Sequence, residues 1–114
     1  MLPGGRLELL ENSEEAIVRE LQEELGLTLK CKLISIEENI VKENNFHMLE
    51  FIYYAEIEDF KNIVSMDDGW YKFKFVNIGD IENVDIRPKT VKQLIQKEKY
   101  SELKHNINYD WGNQ

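Results

Sequence analysis

The residues of this chain whose types and spacing best suit shared chemistry are three glutamates, Glu20, Glu23 and Glu24. In an α-helix, positions i, i+3 and i+4 lie on one face, because each residue turns the helix by about 100°. Three neighbouring carboxylates repel one another unless positive charge lies between them. A hard divalent cation such as Mg²⁺ prefers oxygen ligands and completes its shell with water and phosphate oxygens. The spacing therefore indicates a metal site.

A glutamate-rich helix face is also a common kind of solvated surface. The chain has 22 acidic residues, so three glutamates on one side of a helix do not by themselves distinguish a metal site from an ordinary charged face. The residues around the three glutamates have to decide between the two interpretations.

The surrounding segment, residues 5–27 (GRLELLENSEEAIVRELQEELGL), resembles the signature of the Nudix hydrolase family. That signature has Gly, five residues, Glu, seven residues, and then Arg-Glu-aliphatic-any-Glu-Glu-any-Gly-aliphatic. All nine specified positions are filled in register, by Gly5, Glu11, Arg19, Glu20, Leu21, Glu23, Glu24, Gly26 and Leu27. A match at many positions with fixed gaps is far more specific than a lone short motif. Leu2-Pro3-Gly4 before the segment is also similar to the family's usual lead-in.

The resemblance implies a metal site at the three glutamates. Glu20, Glu23 and Glu24 are similar to the family's metal-binding glutamates, and Glu20 is similar to the residue sometimes assigned as the base for water. Gly4 lies where a backbone carbonyl often reaches a metal ion, and glycine permits that close approach. The implied cofactor is Mg²⁺, with Mn²⁺ as an alternative ion.

Two further residues have supporting roles in the resemblance. Arg19 resembles the residue that orients the helix carboxylates by a salt bridge, and Glu11 resembles the outer glutamate that supports the metal site. We therefore group Arg19 with Glu20, Glu23 and Glu24 as candidate catalytic residues.

The implied activity is that of a Mg²⁺-dependent hydrolase that cleaves the diphosphate of a small nucleoside diphosphate derivative. A metal-bound water attacks a substituted phosphorus, while the cation offsets charge that develops on the phosphate oxygens. The alternative is a catalytically silent Nudix-like module that binds a nucleotide or has a regulatory role. Intact Glu20, Glu23 and Glu24 favour the enzyme, because a binding module has no need of three adjacent carboxylates.

Candidates beyond the signature are weaker. Phe46 could stack on a base and His47 could contact the substrate, although core packing and a structural histidine are the alternatives for these two residues. Asp67 or Asp68 could supply the additional downstream acid that many family members use, although an acid beside a glycine is also typical of a turn. No marker after the signature indicates which nucleotide derivative is the substrate.

The elements that must position these residues follow from the local sequence. Asn12 or Ser13 can cap a helix that Gly26 ends. Four strands are predicted, at Leu7–Leu10, Thr28–Ile36, His47–Ile57 and Trp70–Val76. The polar run 42–45 is typical of a hairpin connection, Pro88 can open a last helix, and the tail after Tyr100 has no clear assignment. We expect an α/β fold, in this family an α/β/α sandwich with a mixed β-sheet.

Composition limits the remaining possibilities. A chain of 114 residues is long enough for one core, so residues 1–114 are predicted to form a single domain. The formal net charge of −8 disfavours binding to a nucleic acid polymer. No apolar stretch is long enough to span a bilayer, and one cysteine, Cys31, cannot form an intramolecular disulfide. These features predict a cytoplasmic protein.

Nudix domains normally have about two strands before the Leu-Pro-Gly-Gly lead-in, whereas this chain starts almost at the signature. We therefore expect a sheet that lacks the usual leading strands. Such a sheet exposes backbone donors and acceptors along an edge, together with apolar side chains. Pairing of two copies would bury both, so a homodimer is predicted.

Overall fold

The computed structural model describes residues 5–57, 78–98 and 100–112. The chain divides into two compact units, residues 1–32 with 53–75 and residues 33–52 with 76–114, here called the first and second units. Four of the sequence predictions fall outside the described residues, and they stay predictions: the strand Trp70–Val76, the acids Asp67 and Asp68, and the carbonyl of Gly4.

Helix α1, Ser13–Leu25, is the main element of the first unit. Asn12 caps its N-terminus, because the Asn12 side chain accepts a hydrogen bond from the backbone amide of Glu15 at 2.8 Å. Gly26 ends the helix in the left-handed conformation, with φ at 71°, and its amide donates to the Gln22 carbonyl at 3.0 Å. These caps pair backbone groups that a helix end would leave unsatisfied. The predicted helix is confirmed at both ends.

The buried face of α1 fixes the rotation of the helix about its axis. Ala16, Leu21 and Leu25 are buried apolar residues, and Glu24 on the same face is only 9% exposed. The hydroxyl oxygens of Ser13 and Tyr53 lie 2.6 Å apart, which holds the start of the helix in place. The remaining faces of α1 are thereby turned toward solvent and toward the segment that precedes the helix.

The strand predicted at Leu7–Leu10 is wrong. Residues 5–8 have no regular secondary structure and residues 9–10 form a turn, which is closed by a 3.0 Å bond from the Glu11 amide to the Glu8 carbonyl. Leu10 has a positive φ of 64°, and its side chain is exposed. The apolar residues had suggested a strand, but the segment forms a turn that brings Glu11 toward α1.

Where the chain is described, a sheet of three strands contains β1, Cys31–Val41, and β2, Phe46–Ala55. The connection between them is a short 3₁₀ turn, Lys42–Asn44, which confirms the predicted connection. Asn45 completes this turn in the left-handed conformation, which asparagine tolerates better than most residues. β1 starts at residue 31 and not at 28, and it ends at residue 41 and not at 36.

The third strand, β3, is Lys104–Tyr109, in the tail that had no predicted element. It pairs in parallel with β1, in a register that runs from Ser35 opposite Lys104 to Ile40 opposite Tyr109. The strand order is β2-β1-β3, so β1 is the central strand of a mixed sheet.

Helix α2, Lys89–Lys97, follows Pro88 as predicted. Its residues Val91 and Leu94 are buried, and the helix packs against a 3₁₀ helix, Ile78–Asn83, which contributes the buried Ile81. These side chains form the apolar core of the second unit.

In the described residues, two helices and a mixed three-stranded sheet confirm the expected small α/β fold of Nudix type. In the described parts of the chain, no helix combines the length and the apolar character that crossing a membrane requires.

Candidate active site

An ionic cluster in the first unit is centred on Arg19 of α1. The guanidinium donates from Nε to Glu11 Oε2 at 2.8 Å and from Nη2 to Glu11 Oε1 at 3.0 Å. This two-point pairing matches the planar guanidinium to a carboxylate. Nη1 donates to Glu20 Oε1 at 2.9 Å and to Glu23 Oε2 at 3.2 Å. We call Glu11, Arg19, Glu20 and Glu23 the Arg19 cluster.

Glu11 is held by the turn that precedes the helix as well as by Arg19. Its Oε1 accepts the backbone amide of Glu8 at 3.0 Å. The bonds from Arg19 and then from the Glu8 amide hold the pKa of the Glu11 carboxyl below its usual value. The same bond to Glu11 raises the pKa of Arg19. The pair therefore stays ionised, and Arg19 is fixed further by donating to the Arg6 carbonyl at 3.1 Å.

Glu20 lies directly against the backbone of Gly5. Its side chain is only 15% exposed, and a Cβ built on residue 5 would lie 2.2 Å from Glu20 Oε1 and 2.3 Å from its carboxyl carbon. Real side chains do not approach so closely, so residue 5 can be nothing larger than glycine without moving the carboxylate. The first glycine of the signature thus has a physical role, which is to leave space for Glu20.

The other two helical glutamates have contrasting environments. The Glu23 side chain is 56% exposed, whereas Glu24 lies on the buried face of α1. The structure therefore places Glu20 and Glu23 in the Arg19 cluster and turns Glu24 toward the interior of the first unit.

The charges of the Arg19 cluster do not balance. One guanidinium contacts three carboxylates, and a fourth, on Glu8, is 3.6 Å from Arg19 Nη1. The excess negative charge on oxygen ligands is the environment that hard divalent cations favour. Within the described ranges, no three His, Cys, Asp or Glu side chains are already grouped around one metal position. The donor chemistry fits a divalent cation, and Glu20 and Glu23 are currently turned toward Arg19.

The candidate substrate residues Phe46 and His47 lie in the second unit, at the start of β2. The Phe46 ring is 39% exposed, and its centroid is 5.7 Å from that of Trp111. His47 Nε2 is 3.8 Å from Glu38 Oε1, and His105 Nε2 is 2.7 Å from Glu38 Oε2. Both histidines of the chain therefore contact one carboxylate of β1.

Several contacts of the candidate residues could not be seen in the sequence. The Glu8 amide and the Arg6 carbonyl act through their backbone atoms, for which side-chain identity carries no signal. Trp111 and His105 belong to the tail without an assignment. Recognition of β3 as a strand beside β1 would have been the only route to the pairing of His105 with Glu38.

The sequence of this chain also matches a known protein family. The family described as NUDIX domain matches residues 1–96, which include α1, the Arg19 cluster, β1, β2 and most of α2. Members of this family are in general hydrolases of compounds that contain a nucleoside diphosphate. This chain therefore belongs to the Nudix family.

Proposed function

We propose that this Nudix domain is a Mg²⁺-dependent pyrophosphohydrolase that cleaves the diphosphate of a small nucleoside diphosphate derivative. The observation that carries the proposal is the Arg19 cluster, in which one arginine positions three carboxylates of the signature and leaves negative charge uncompensated. A protein that only bound nucleotides would gain nothing from carboxylates that repel the phosphates of its ligand.

The residues proposed to hold the cation are Glu20, Glu23 and Glu24, together with the backbone carbonyl of Gly4. Mn²⁺ shares the preference for carboxylate and water ligands and is an alternative ion. When bound, Mg²⁺ would offset negative charge on the phosphate oxygens and would make the attacking water easier to deprotonate. Exposed Glu23 has the greatest freedom to turn away from Arg19 toward such an ion.

The side chains of the protein would then provide proton acceptance and the positioning of the catalytic base. Glu20 accepts the proton of the attacking water, because its carboxylate is held beside Gly5 and oriented by Arg19 Nη1. Arg19 is itself held by its two-point pairing with Glu11. We therefore assign Arg19 and Glu11 as positioning residues that keep the Glu20 carboxylate in a fixed place.

The chemistry is a hydrolysis in which a water oxygen forms a bond to one phosphorus of the diphosphate. The bond between this phosphorus and the bridging oxygen breaks, and the bridging oxygen leaves with the other phosphoryl group. Each half of the substrate then carries its own phosphate. The exposed Phe46 ring and His47 are proposed to contact the organic part of the substrate, with Phe46 stacking on a base.

The test is turnover of a panel of nucleoside diphosphate derivatives with Mg²⁺, with Mn²⁺ and with a chelator. We expect cation-dependent cleavage by the native chain, and a decrease in kcat of about 100-fold or more for Glu20→Gln, the range typical of a lost general base. Glu14→Gln is the matched control, because Glu14 lies on the same helix, is exposed and is outside the Arg19 cluster. Circular dichroism should show that both variants are folded.

Two results would contradict the proposal. Equal losses in the two variants would indicate a general effect of charge and not a specific site. Cation-dependent binding of a nucleotide derivative without any cleavage would favour the alternative of a silent binding module.

A further inference from the structure

The central strand of the sheet has a buried face that is polar. Ser35, Glu37 and Asn39 are alternate residues of β1, so their side chains point to the same side, and each is 0% exposed. Apolar residues usually fill such positions, since burying a carboxylate without partners is costly. The partners of these three side chains are therefore informative.

Glu37 is bonded from three elements of the second unit. Its Oε2 accepts from Ser35 Oγ of the same strand at 2.8 Å and from Asn106 Nδ2 of β3 at 2.9 Å. Its Oε1 is in hydrogen-bond contact with Thr90 Oγ1 of α2.

A chain of hydrogen bonds connects Glu37 to a second carboxylate. Thr90 Oγ1 lies 3.1 Å from Asn108 Oδ1, and Asn108 Nδ2 donates to Asn39 Oδ1 at 3.1 Å. Asn39 Nδ2 in turn donates to Glu50 Oε1 at 2.6 Å. We call the sequence Glu37, Thr90, Asn108, Asn39 and Glu50 the polar relay.

If both carboxyl groups are ionised, the polar relay has one hydrogen fewer than its hydrogen bonds require. The Thr90 hydroxyl has one hydrogen, whereas both of its neighbours, a Glu37 carboxylate oxygen and Asn108 Oδ1, are acceptors. Thr90 can donate to only one of them. A proton on Glu37 solves the problem, because Glu37 then donates to Thr90, and Thr90 donates to Asn108.

Turning the carboxamides of Asn108 and Asn39 moves the missing hydrogen from the Glu37 end of the relay to the Glu50 end, and it does not supply that hydrogen. If Asn108 and Asn39 each turn by 180°, Asn108 donates to Thr90 and Thr90 donates to Glu37. Asn39 Oδ1 then faces the Glu50 carboxylate, and a proton on Glu50 is needed to join them. In either direction a complete relay requires one proton, at one end or the other.

We propose that Glu37 and Glu50 share one proton through the polar relay, so that the folded second unit holds a proton that the unfolded chain releases. The electrostatic surroundings agree with this proton count. Burial raises the pKa of Glu50, and the negative charge of Glu37 raises it further, against a lowering by the bond from Asn39.

Among the described residues, the groups bonded to the two carboxyls are neutral. Their hydrogen-bond partners among the described residues are hydroxyls and carboxamides, contributed by β1, β3 and α2, namely Ser35, Asn39, Thr90 and Asn106. The charged group of the described residues that acts on Glu50 is the other end of the relay, Glu37. A proton would supply the positive charge that these partners lack.

The relay makes the second unit sensitive to pH, because it joins all three strands to α2. A raised pKa in the folded state favours the protonated form. The stabilisation is then fully present below the pKa of the unfolded chain and is lost as the pH rises through the raised value. Removal of the shared proton leaves two carboxylates at the ends of a hydrogen-bond chain that lacks one hydrogen.

The test is the pH dependence of urea unfolding between pH 5.5 and 7.5, for the native chain, Glu37→Gln, Glu50→Gln and Glu43→Gln. Holding one extra proton makes the folding equilibrium constant fall about tenfold for each pH unit. A glutamine amide supplies the missing hydrogen without titrating, so both relay variants should lose this tenfold dependence. Glu43→Gln, the same change at an exposed residue of the turn after β1, should keep it.

Equal pH dependence in all four proteins would overturn the proposal. If the relay variants do not fold, infrared spectroscopy of the native chain gives the same decision. A carboxylic acid C=O band in the folded protein at pH 5.5 that disappears on unfolding would support the shared proton, and absence of the band would exclude it.

Discussion

The two units of the chain use glutamate in opposite ways. In the first unit, the carboxylates of the Arg19 cluster are partly open to solvent and are paired with a guanidinium. In the second unit, the carboxylates of the polar relay are bonded to neutral hydroxyl and amide groups. Charge is kept in the first arrangement, whereas the second favours its removal by a proton.

The comparison separates acidic residues that are proposed to bind a cation from acidic residues that are bonded within the fold. The Arg19 cluster carries more negative than positive charge among the described residues, and a divalent cation would balance this excess. The relay needs no more than one proton to be complete. The sign of the pH response should therefore differ, with the first arrangement weakened by acid and the second by base.

The largest expected effect tests the packing that positions the first set of carboxylates. Gly5→Ala should lower kcat/KM by about 100-fold, because the added Cβ would lie 2.2 Å from Glu20 Oε1 and would displace the proposed base. The measurement is steady-state hydrolysis of the best substrate of the panel.

Gly79→Ala is the control for this prediction. A Cβ at residue 79 meets nothing within 4 Å, so activity and stability should be nearly unchanged. Equal activity of the two variants would show that close packing at residue 5 does not position Glu20.

The next effect concerns the stability of the second unit. Asn108→Leu removes one link of the relay, so that Asn39 Oδ1 loses its donor and Thr90 keeps only Glu37, at a cost of about 2 kcal/mol in the free energy of unfolding. Asn83→Leu makes the same replacement at an exposed site and should change stability by less than about 0.5 kcal/mol. Similar urea midpoints for the two variants would mean that the relay contributes little to stability.

The smallest effect is the acid response of the Arg19 cluster. The pKa of Glu11 is lowered from 4.5, so its pairing with Arg19 stabilises the fold above that value and is lost as the pH falls below it. The difference in urea midpoint between the native chain and Glu11→Gln should shrink between pH 6 and 3.5. A difference that stays constant over this range would contradict an ionised Glu11–Arg19 pair.

The sequence predicted the elements whose signals are local. Asn12 and Gly26 marked the ends of α1, and Pro88 marked the start of α2, because capping and turn residues act on their immediate neighbours. The nine signature positions identified Glu11, Arg19 and the helical glutamates as one group, and the contacts of Arg19 show how three of these carboxylates are held together. Their proposed roles in metal binding and catalysis, and the homodimer, stay predictions.

The features that were missed depend on contacts between distant parts of the chain. β1 was predicted to end at Ile36, just before the polar residues Glu37 and Asn39, yet the strand continues to Val41, with Thr90 and Asn108 bonded to those side chains. The tail had too few apolar residues to predict β3. The sequence of a buried strand with a polar face has the pattern of a loop, and the hydrogen-bond partners that identify it as a strand lie elsewhere in the chain.

The parallel pairing of β3 with β1 also determines the order in which the second unit can be assembled. Asn106 and Asn108 bond to residues 69 positions earlier in the chain, so β1 leaves the ribosome long before its parallel neighbour, β3, is synthesised. An apolar strand exposed for that interval would invite aggregation. Because Ser35, Glu37 and Asn39 can be hydrated during this interval, the polar face of β1 should lower the risk of aggregation before β3 is synthesised.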